Sequence, residues 1–166
     1  MFDKTILAKA ETLIKLCFDK HITLTAAESC TGGLLMAAFT SVGGVSEVFN
    51  GGYVTYSNDE KMDMVNVSQT TLDRHGAVSD EVVREMADGA MLTTGADLAI
   101  AISGVAGPTG GSAEKPVGLV HFGVCTAGCF METHKIFENL DRNGVRLAAV
   151  EYALDLLIAE AQKFKR

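Results

Sequence analysis

The sequence predicts an α/β protein: a single three-layer α/β/α domain over residues 1–166 with a mixed sheet at its centre. Segments with helical periodicity alternate with short segments of strand character, which indicates helices packed on a sheet. Residues 98–102 are apolar throughout, as is typical of a central strand covered by helices on both faces. Two later strand-like segments, joined by a glycine-containing turn, predict an antiparallel pair that makes the sheet mixed.

The first third of the chain predicts a helix, a strand and a second helix. Residues 2–20 carry an apolar stripe at helical spacing, formed by Ile6, Ala10, Leu13 and Cys17. Residues 22–27 predict a short strand. Helical sequence resumes near Thr31, with two glycines in its first turn that allow the backbone to approach another group closely.

The middle of the chain predicts a second strand followed by three helices. The strand covers residues 51–56, and turn and helix-capping residues follow it directly. Short helices are predicted over residues 59–65 and 69–74. A longer helix is predicted over residues 80–93, with Ser79 as its N-cap and Gly95 at its end.

The last third predicts the antiparallel pair and a closing helix. The two strands are expected over residues 117–125 and 131–137, after the central strand. A long helix is expected over residues 143–164, with Val145, Ala149, Tyr152 and Leu156 facing inward.

Composition and charge exclude several classes of protein. The chain is 48% hydrophobic and 21% charged, which excludes a disordered chain and a coiled coil. Its 14 Lys and Arg residues against 21 Asp and Glu residues give a net charge of −7, which disfavours direct nucleic-acid binding. No apolar run reaches the roughly 18 residues of a membrane span, and the N-terminus does not resemble a signal peptide. We therefore expect a cytoplasmic protein with no membrane contact.

The cysteines and histidines predict no metal site. The four cysteines form no CxxC pair, and reduced thiols are expected. The four histidines are dispersed along the chain and lie in no ligand motif, so they are interpreted as surface or strand residues.

The first candidate site is Ser29, where a strand ends and a glycine-rich helix start follows. Such a position offers backbone N–H groups and a helix dipole to an oxyanion or a phosphate. Two alternatives stay open from the residues alone. In the first alternative, Ser29 only caps the following helix. In the second, Cys30 is the nucleophile, but we favour a buried structural thiol at that position.

The second candidate site combines Tyr56, at the end of a strand, with Lys61 about one turn into the next helix. A lysine can act as a general base for a serine only when it is neutral, which requires burial or nearby positive charge. A tyrosine hydroxyl between the lysine and the serine can relay a proton. The competing interpretation places Lys61 on an exposed helix surface and Tyr56 as a half-buried strand aromatic.

The third candidate site is a glycine-rich loop after the central strand, which begins at Ser103 and contains Gly104 and Gly107. The loop is neither a Walker A sequence nor a dinucleotide fingerprint. Loops at the carboxyl end of a central strand are where α/β proteins bind ligands, while a plain flexible connection is the alternative.

Taken together, the motifs resemble the CinA C-terminal domain family, also called the nicotinamide-nucleotide amidohydrolases. The resemblance extends from about residue 5 to residue 160. It rests on Ala27-Glu-Ser-Cys-Thr-Gly-Gly33, Tyr56-Ser-Asn58 with Lys61, His75-Gly-Ala-Val-Ser79, Gly104-Val-Ala-Gly-Pro108 and Glu114-Lys-Pro-Val-Gly118.

The resemblance implies a three-layer α/β/α fold and an activity. Family members deamidate nicotinamide mononucleotide to nicotinate mononucleotide and ammonia, without metal or cofactor, in pyridine nucleotide salvage. The family's serine nucleophile corresponds to Ser29, its tyrosine to Tyr56 and its lysine to Lys61. The expected substrate is therefore a small molecule, and the three residues are expected to be catalytic.

The remaining candidate residues are assigned to substrate binding. Backbone N–H groups of Thr31, Gly32 and Gly33 are expected to hold an oxyanion. The phosphate cradle is expected to consist of Arg142 and the loop that contains Ser103, Gly104 and Gly107. This chain has Leu140 where the family usually has a glycine before Asp-Arg, which can alter the turn that aims Arg142.

A second function class is a non-catalytic module that binds a nucleotide or a protein partner, as the family's link to competence and DNA damage suggests. The presence of Ser29, Tyr56 and Lys61 together favours the enzyme. A homo-oligomer, in the form of a dimer, is also expected.

Overall fold

Five strands form one mixed sheet in the computed structural model, which describes residues 2–164. In chain order they are β1 (Leu24–Glu28), β2 (Tyr53–Val54), β3 (Leu98–Gly104), β4 (Leu119–Thr126) and β5 (Cys129–Ile136). The order across the sheet is β2-β1-β3-β4-β5. Strands β2, β1 and β3 are parallel, whereas β4 and β5 pair antiparallel. The sheet is therefore mixed, as predicted.

Six α-helices flank the sheet: α1 (Lys4–Lys20), α2 (Leu34–Thr40), α3 (Asn58–Val65), α4 (Gln69–His75), α5 (Asp80–Thr94) and α6 (Arg142–Lys163). Helices α1, α2 and α6 share one hydrophobic core with the sheet, and helices α3, α4 and α5 share a second core on the other face. The three-layer α/β/α architecture is confirmed. Among the described residues, no helix combines the length and apolar character needed to span a bilayer.

The central strand β3 supplies both cores by alternation. Leu98, Ile100 and Ile102 face the core of α1, α2 and α6, while Ala99 and Ala101 face α5. All five side chains are fully buried, which is why this segment is apolar at every position. Burying an Ile or Leu side chain stabilises a fold by about 1.5–3 kcal/mol, so β3 is a major contributor to stability.

Helix α5 packs closely against its neighbours because small residues line its contacts. A Cβ atom added to Gly89 would lie 1.8 Å from the Val65 carbonyl oxygen at the end of α3. Any side chain at this position would have to push the two helices apart. The glycine thus sets the distance between α3, which carries a candidate catalytic residue, and the rest of the second core.

Side-chain caps fix the helix starts that surround the site. Ser57 accepts a hydrogen bond from the Glu60 N–H at the start of α3, and Asp141 accepts one from the Gly144 N–H at the start of α6. Ser79 caps α5, and Gly95 ends that helix in the left-handed conformation, both as predicted.

Three elements differ from the sequence-based expectations. Strand β2 has two residues rather than the six of residues 51–56. Helix α2 begins at Leu34 rather than near Thr31, because Gly32 and Gly33 adopt positive φ and hold residues 31–33 in a turn. A short 3₁₀ helix, Val45–Glu47, was not predicted.

Candidate active site

The candidate catalytic residues meet at the carboxyl ends of the parallel strands. Ser29 follows β1 directly, and Lys61 lies in the first half of α3. Ser103 and Gly104 end β3. They line one cavity of about 210 Å³, together with Tyr56 and Arg142. The structure therefore brings six of the ten predicted site residues to one cavity: Ser29, Tyr56, Lys61, Ser103, Gly104 and Arg142.

Ser29 and Lys61 are in direct hydrogen-bond contact. The Lys61 Nζ lies 3.1 Å from the Ser29 Oγ and 2.8 Å from the Thr55 carbonyl oxygen. Lys61 is 1% exposed and Ser29 is 9% exposed, so water has little access to this contact. The interpretation of Lys61 as an exposed surface lysine is wrong.

Burial lowers the pKa of Lys61 below its ordinary value. None of the ion pairs in the described part of the chain involves this lysine, so no carboxylate compensates the cost of burying its charge. The neutral amine is thereby favoured, and only the neutral amine can accept a proton from a serine hydroxyl. The geometry and the electrostatics both suit Lys61 as a general base.

Cys30 borders the same cavity but is a poor nucleophile. Burial raises the pKa of its thiol to about 12. The thiol consequently stays protonated near neutrality, and thiolate is the reactive form of cysteine. Of the two neighbouring candidates, the chemistry favours Ser29.

Tyr56 lies at the rim of the cavity and contacts Arg142. Its side chain is 59% exposed, and its hydroxyl accepts a 2.7 Å hydrogen bond from Arg142 Nη2. Arg142 Nη1 donates to the Gly107 carbonyl oxygen at 2.7 Å. The guanidinium thus connects α6, the loop after β3 and the segment between β2 and α3. Because Lys61 reaches Ser29 directly, proton transfer between them needs no tyrosine relay.

The turn after Ser29 uses two of the three predicted oxyanion donors for other bonds. The Gly32 N–H donates to the Ser29 carbonyl oxygen at 3.0 Å. The Gly33 N–H donates to the Glu28 carboxylate at 3.0 Å. Thr31 is fully buried and is the remaining member of the predicted set.

Glu28 is a site residue to which the sequence interpretation gave no role. It is fully buried, and its carboxylate also accepts hydrogen bonds from the Leu35 and Met36 N–H groups. Burial raises the pKa of this carboxyl, against the opposing effect of the N–H donors. The carboxylate caps the N-terminus of α2 and orders the turn that follows Ser29. Its position at the end of β1, directly before Ser29, was the available signal.

Two further contacts hold the walls of the cavity. The Ser103 Oγ donates a 2.6 Å hydrogen bond to the Ala77 carbonyl oxygen, which fixes the segment before α5. Arg146 Nη2 donates to the Thr31 carbonyl oxygen at 2.9 Å, and its Nε donates to the Cys30 carbonyl oxygen at 3.2 Å. Ser103 therefore stabilises one wall of the cavity, and Arg146 attaches the turn that follows Ser29 to α6.

Comparison with a family model identifies the chain. The model of the CinA C-terminal domain matches residues 7–161. The chain belongs to the CinA C-terminal domain family. The family-level fold expectation is thereby confirmed.

Curated relatives of this CinA C-terminal domain fall into two groups. The nicotinamide-nucleotide amidohydrolase PncC of Escherichia coli strain K12 is 45% identical over 157 residues, which cover 95% of each chain. The PncC of Enterobacter agglomerans is 48% identical over 137 residues, which cover 82% of this chain and 84% of the relative. A putative competence-damage inducible protein of Clostridium novyi is 45% identical over 150 residues, or 90% of this chain but 36% of the relative. The chain thus spans about a third of that longer relative.

Solved structures share the complete fold. The crystal structure of the competence/damage inducible protein CihA from Agrobacterium tumefaciens superposes with a TM-score of 0.93 at 42% identity, covering 96% of this chain and 97% of the other. A CinA superfamily protein from Klebsiella pneumoniae superposes with a TM-score of 0.92 at 34% identity, covering 96% and 99% of the two chains.

Proposed function

We propose that this CinA C-terminal domain protein is an amidohydrolase that converts nicotinamide mononucleotide to nicotinate mononucleotide and ammonia. The single observation that carries the proposal is the 3.1 Å contact between Ser29 Oγ and the buried Lys61 Nζ. The names of the relatives that match nearly their whole length supply the substrate. We place the reaction in pyridine nucleotide salvage.

The first half of the reaction forms an ester on Ser29. Neutral Lys61 takes the hydroxyl proton while the Ser29 Oγ attacks the carboxamide carbon, and a C–O bond forms. The resulting tetrahedral species collapses with cleavage of its C–N bond. The leaving nitrogen takes the proton from the Lys61 ammonium and departs as ammonia.

The second half returns the enzyme to its starting state. Lys61 takes a proton from water, whose oxygen attacks the ester carbon. The ester C–O bond then breaks, and the proton held by Lys61 returns to Ser29 Oγ. The product acid gives its remaining proton to solvent water and leaves as the carboxylate of nicotinate mononucleotide. The proton that Lys61 takes from Ser29 leaves with ammonia, and the proton that it takes from water returns to Ser29, so these steps are balanced without a cofactor.

The oxyanion of the tetrahedral species requires backbone donors near Ser29. Thr31 N–H is the proposed donor, because the Gly32 and Gly33 N–H groups already serve the turn and Glu28. These two glycines act indirectly, since they set the path of the backbone. Removing one oxyanion donor typically costs about 10²–10³ in rate.

Arg142 is the proposed phosphate ligand. The cavity of about 210 Å³ is smaller than the roughly 300–1,000 Å³ of typical small-molecule sites. It suits the carboxamide-bearing ring and leaves the phosphate toward the mouth, where Arg142 and Tyr56 lie. A guanidinium has five N–H donors in a planar fork that matches phosphate oxygens. The Gly104 and Gly107 backbone forms the adjacent wall of the proposed cradle.

The experiment is ammonia release from nicotinamide mononucleotide by the purified wild type and two variants. Ser29→Ala is expected to abolish turnover, and Lys61→Met is expected to lower it by about 10²–10⁴-fold. Ser46→Ala and Lys163→Met alter an exposed serine and an exposed lysine elsewhere and serve as matched controls. Substantial turnover by folded Ser29→Ala would overturn the serine mechanism.

A folded wild type that binds nicotinamide mononucleotide but releases no ammonia would instead support the non-catalytic binding module. The competence-damage names of some relatives give that alternative its basis. Isothermal titration on the same preparation separates the two functions.

We also propose a homodimer in the cytoplasm. Each helix layer offers an exposed apolar side chain to a subunit interface: Phe18 (55% exposed) on α1 and Leu92 (70% exposed) on α5. The free cysteines, three of them buried, suit a reducing compartment. Light scattering on the eluting protein measures the mass of the assembly, and a monomeric mass at all concentrations would contradict the dimer.

A further inference from the structure

Two histidines and an aspartate converge in a second cavity, of about 370 Å³, beside the candidate active site. The His121 Nδ1 lies 2.6 Å from the Asp80 Oδ1, and the His134 Nδ1 lies 3.8 Å from the same oxygen. One ligand atom from each of the three residues falls within 4.8 Å of the others. Both histidines are strand residues, as expected, and the fold brings them together although they are dispersed along the chain.

The fold holds this cluster on rigid elements. His121 on β4 and His134 on β5 are directly paired across the antiparallel ladder, with ring centroids 5.0 Å apart. Asp80 is the first residue of α5, which packs on β4. The relative positions of the three side chains are therefore set by backbone pairing and helix packing rather than by flexible loops.

We infer that Asp80, His121 and His134 form a binding site for a divalent transition-metal ion, with Zn²⁺ as the best match. Two imidazole nitrogens and a carboxylate oxygen are a donor set that zinc and its first-row neighbours bind well. Magnesium and calcium are disfavoured, because both prefer all-oxygen sets.

The distances are close to those that a tetrahedral ion needs. Ligand atoms about 2.0–2.1 Å from zinc lie about 3.3 Å from one another. The His121–Asp80 pair would open from 2.6 Å and the His134–Asp80 pair would close from 3.8 Å, and both changes need only small side-chain rotations. The ion would replace the hydrogen bond between His121 and Asp80.

The surroundings allow an ion to enter and leave room for a fourth ligand. The side chain of His121 is 12% exposed, while those of Asp80 and His134 are 45% and 56% exposed, so the site opens to solvent on one side. His75 and Glu81 line the same cavity, with 3.2 Å between His75 Nδ1 and Glu81 Oε1. Water or one of these side chains would complete the coordination.

The site is distinct from the proposed amidase machinery. Its three residues do not line the Ser29 cavity, although Val78 borders both cavities. An ion here would fasten the start of α5 to the β4–β5 hairpin, and thereby hold the segment before α5 that Ser103 braces from the other side. We assign the ion a structural role.

The competing interpretation is a plain hydrogen-bonded pair between His121 and Asp80. Zn²⁺ titration of the metal-stripped protein, residues 1–166, against a competing chelator dye separates the two interpretations. The wild type is expected to bind one ion per chain. His134→Gln and Asp80→Asn are expected to weaken binding by at least about tenfold. His21→Asn, which removes a histidine elsewhere in the chain, is the matched control and is expected to bind as the wild type does.

Two further measurements report on the coordination of the bound ion. Co²⁺ bound at this site is expected to show the strong visible absorption of a low-coordinate ion, and His134→Gln is expected to lose it. Zn²⁺ is expected to raise the thermal midpoint of the wild type and not that of His134→Gln. Equal Zn²⁺ affinity of His134→Gln, Asp80→Asn and wild type would overturn the site, as would the absence of saturable binding by folded wild type at micromolar Zn²⁺.

Discussion

Lys61 carries a primary amine into the interior of the protein, with the Ser29 hydroxyl and the Thr55 carbonyl oxygen as its hydrogen-bond partners. A charged ammonium here loses its hydration and gains two neutral acceptors in return, so the charged form is disfavoured. The burial of Lys61 lowers the stability of the fold, and the same burial lowers the pKa of the amine and so allows it to act as a base. The proposed reaction uses this effect, since the hydroxyl to be deprotonated is one of the two partners.

The pH dependence of turnover follows from the lowered pKa of Lys61. Below that pKa the amine is protonated, so kcat/KM is expected to fall about tenfold per pH unit on the acid side and to level off above it. The plateau is expected to begin below the ordinary lysine pKa of 10.5, because burial lowers the pKa of Lys61. The measurement is kcat/KM against pH, and a profile that still rises at pH 10.5 would contradict this assignment.

The same lysine links stability to pH. Between its lowered folded-state pKa and 10.5, the unfolded chain binds a proton that the folded chain does not. The free energy of unfolding therefore rises with pH across that window. Lys61→Met lacks this contribution. The unfolding free energy of the wild type minus that of Lys61→Met is therefore expected to increase as pH rises. Urea unfolding of both proteins at several pH values measures it, and a pH-independent difference would contradict it.

Arg142 is expected to act on substrate binding more than on chemistry. Arg142→Lys keeps the charge but loses the planar fork, so the KM for nicotinamide mononucleotide is expected to rise about 10–100-fold with a smaller change in kcat. Steady-state kinetics on both parameters checks it. Nicotinamide riboside, which lacks the phosphate, provides the control, because the variant and wild type should use it equally. An equal loss on both substrates would mean that Arg142 serves the fold through Gly107 and Tyr56.

At the scale of elements, the short helix α2 is positioned by one buried carboxylate. Glu28 accepts hydrogen bonds from the N–H groups of Gly33, Leu35 and Met36. Glu28→Gln preserves the shape but turns an NH₂ group toward one of these donors, so a loss of about 1–3 kcal/mol of stability is expected. Chemical denaturation measures the loss, with exposed Glu47→Gln as the control. Unchanged stability would mean that α2 is held by its core side chains alone.

The elements also show what the sequence could and could not predict. Capping residues such as Ser79 and the apolar residues 98–102 of β3 identify their elements through local rules, and those predictions are confirmed. The burial of Lys61 depends on how closely α3 packs on the sheet, which no local pattern contains. Likewise, the hairpin was predicted, but the pairing of His121 with His134 depends on a register set by the turn.

The candidate active site likewise contains residues that the sequence predicts and one that it does not. Ser29 and Lys61 were singled out on motif resemblance, and their contact follows from the parallel order of β2, β1 and β3. The role of Glu28 was missed: its position at the end of β1 marks it as a neighbour of Ser29 but does not show that its carboxylate turns inward. The contact between Ser29 and Lys61 and the inward orientation of the Glu28 carboxylate both depend on tertiary packing.

At the scale of the whole molecule, the sheet joins the two hydrophobic cores, and its central strand β3 contributes to both. Ile100 belongs to the core of α1, α2 and α6, and Ala101 to the core of α3, α4 and α5. Loss of either core would expose one face of β3, and neither set of helices can bury its apolar surface without the sheet. The two cores are therefore expected to unfold together in a single transition.

The chain offers probes for this cooperativity, because it has no tryptophan and three tyrosines. Tyr152 packs against the first core and Tyr53 against the second. In a Tyr56→Phe background, Tyr152→Phe leaves Tyr53 as the fluorophore and Tyr53→Phe leaves Tyr152. For each variant the fluorescence and far-ultraviolet circular dichroism midpoints in urea are expected to coincide. A fluorescence midpoint that precedes the circular dichroism midpoint in one variant would show that the corresponding core opens first, and would contradict a single transition through β3.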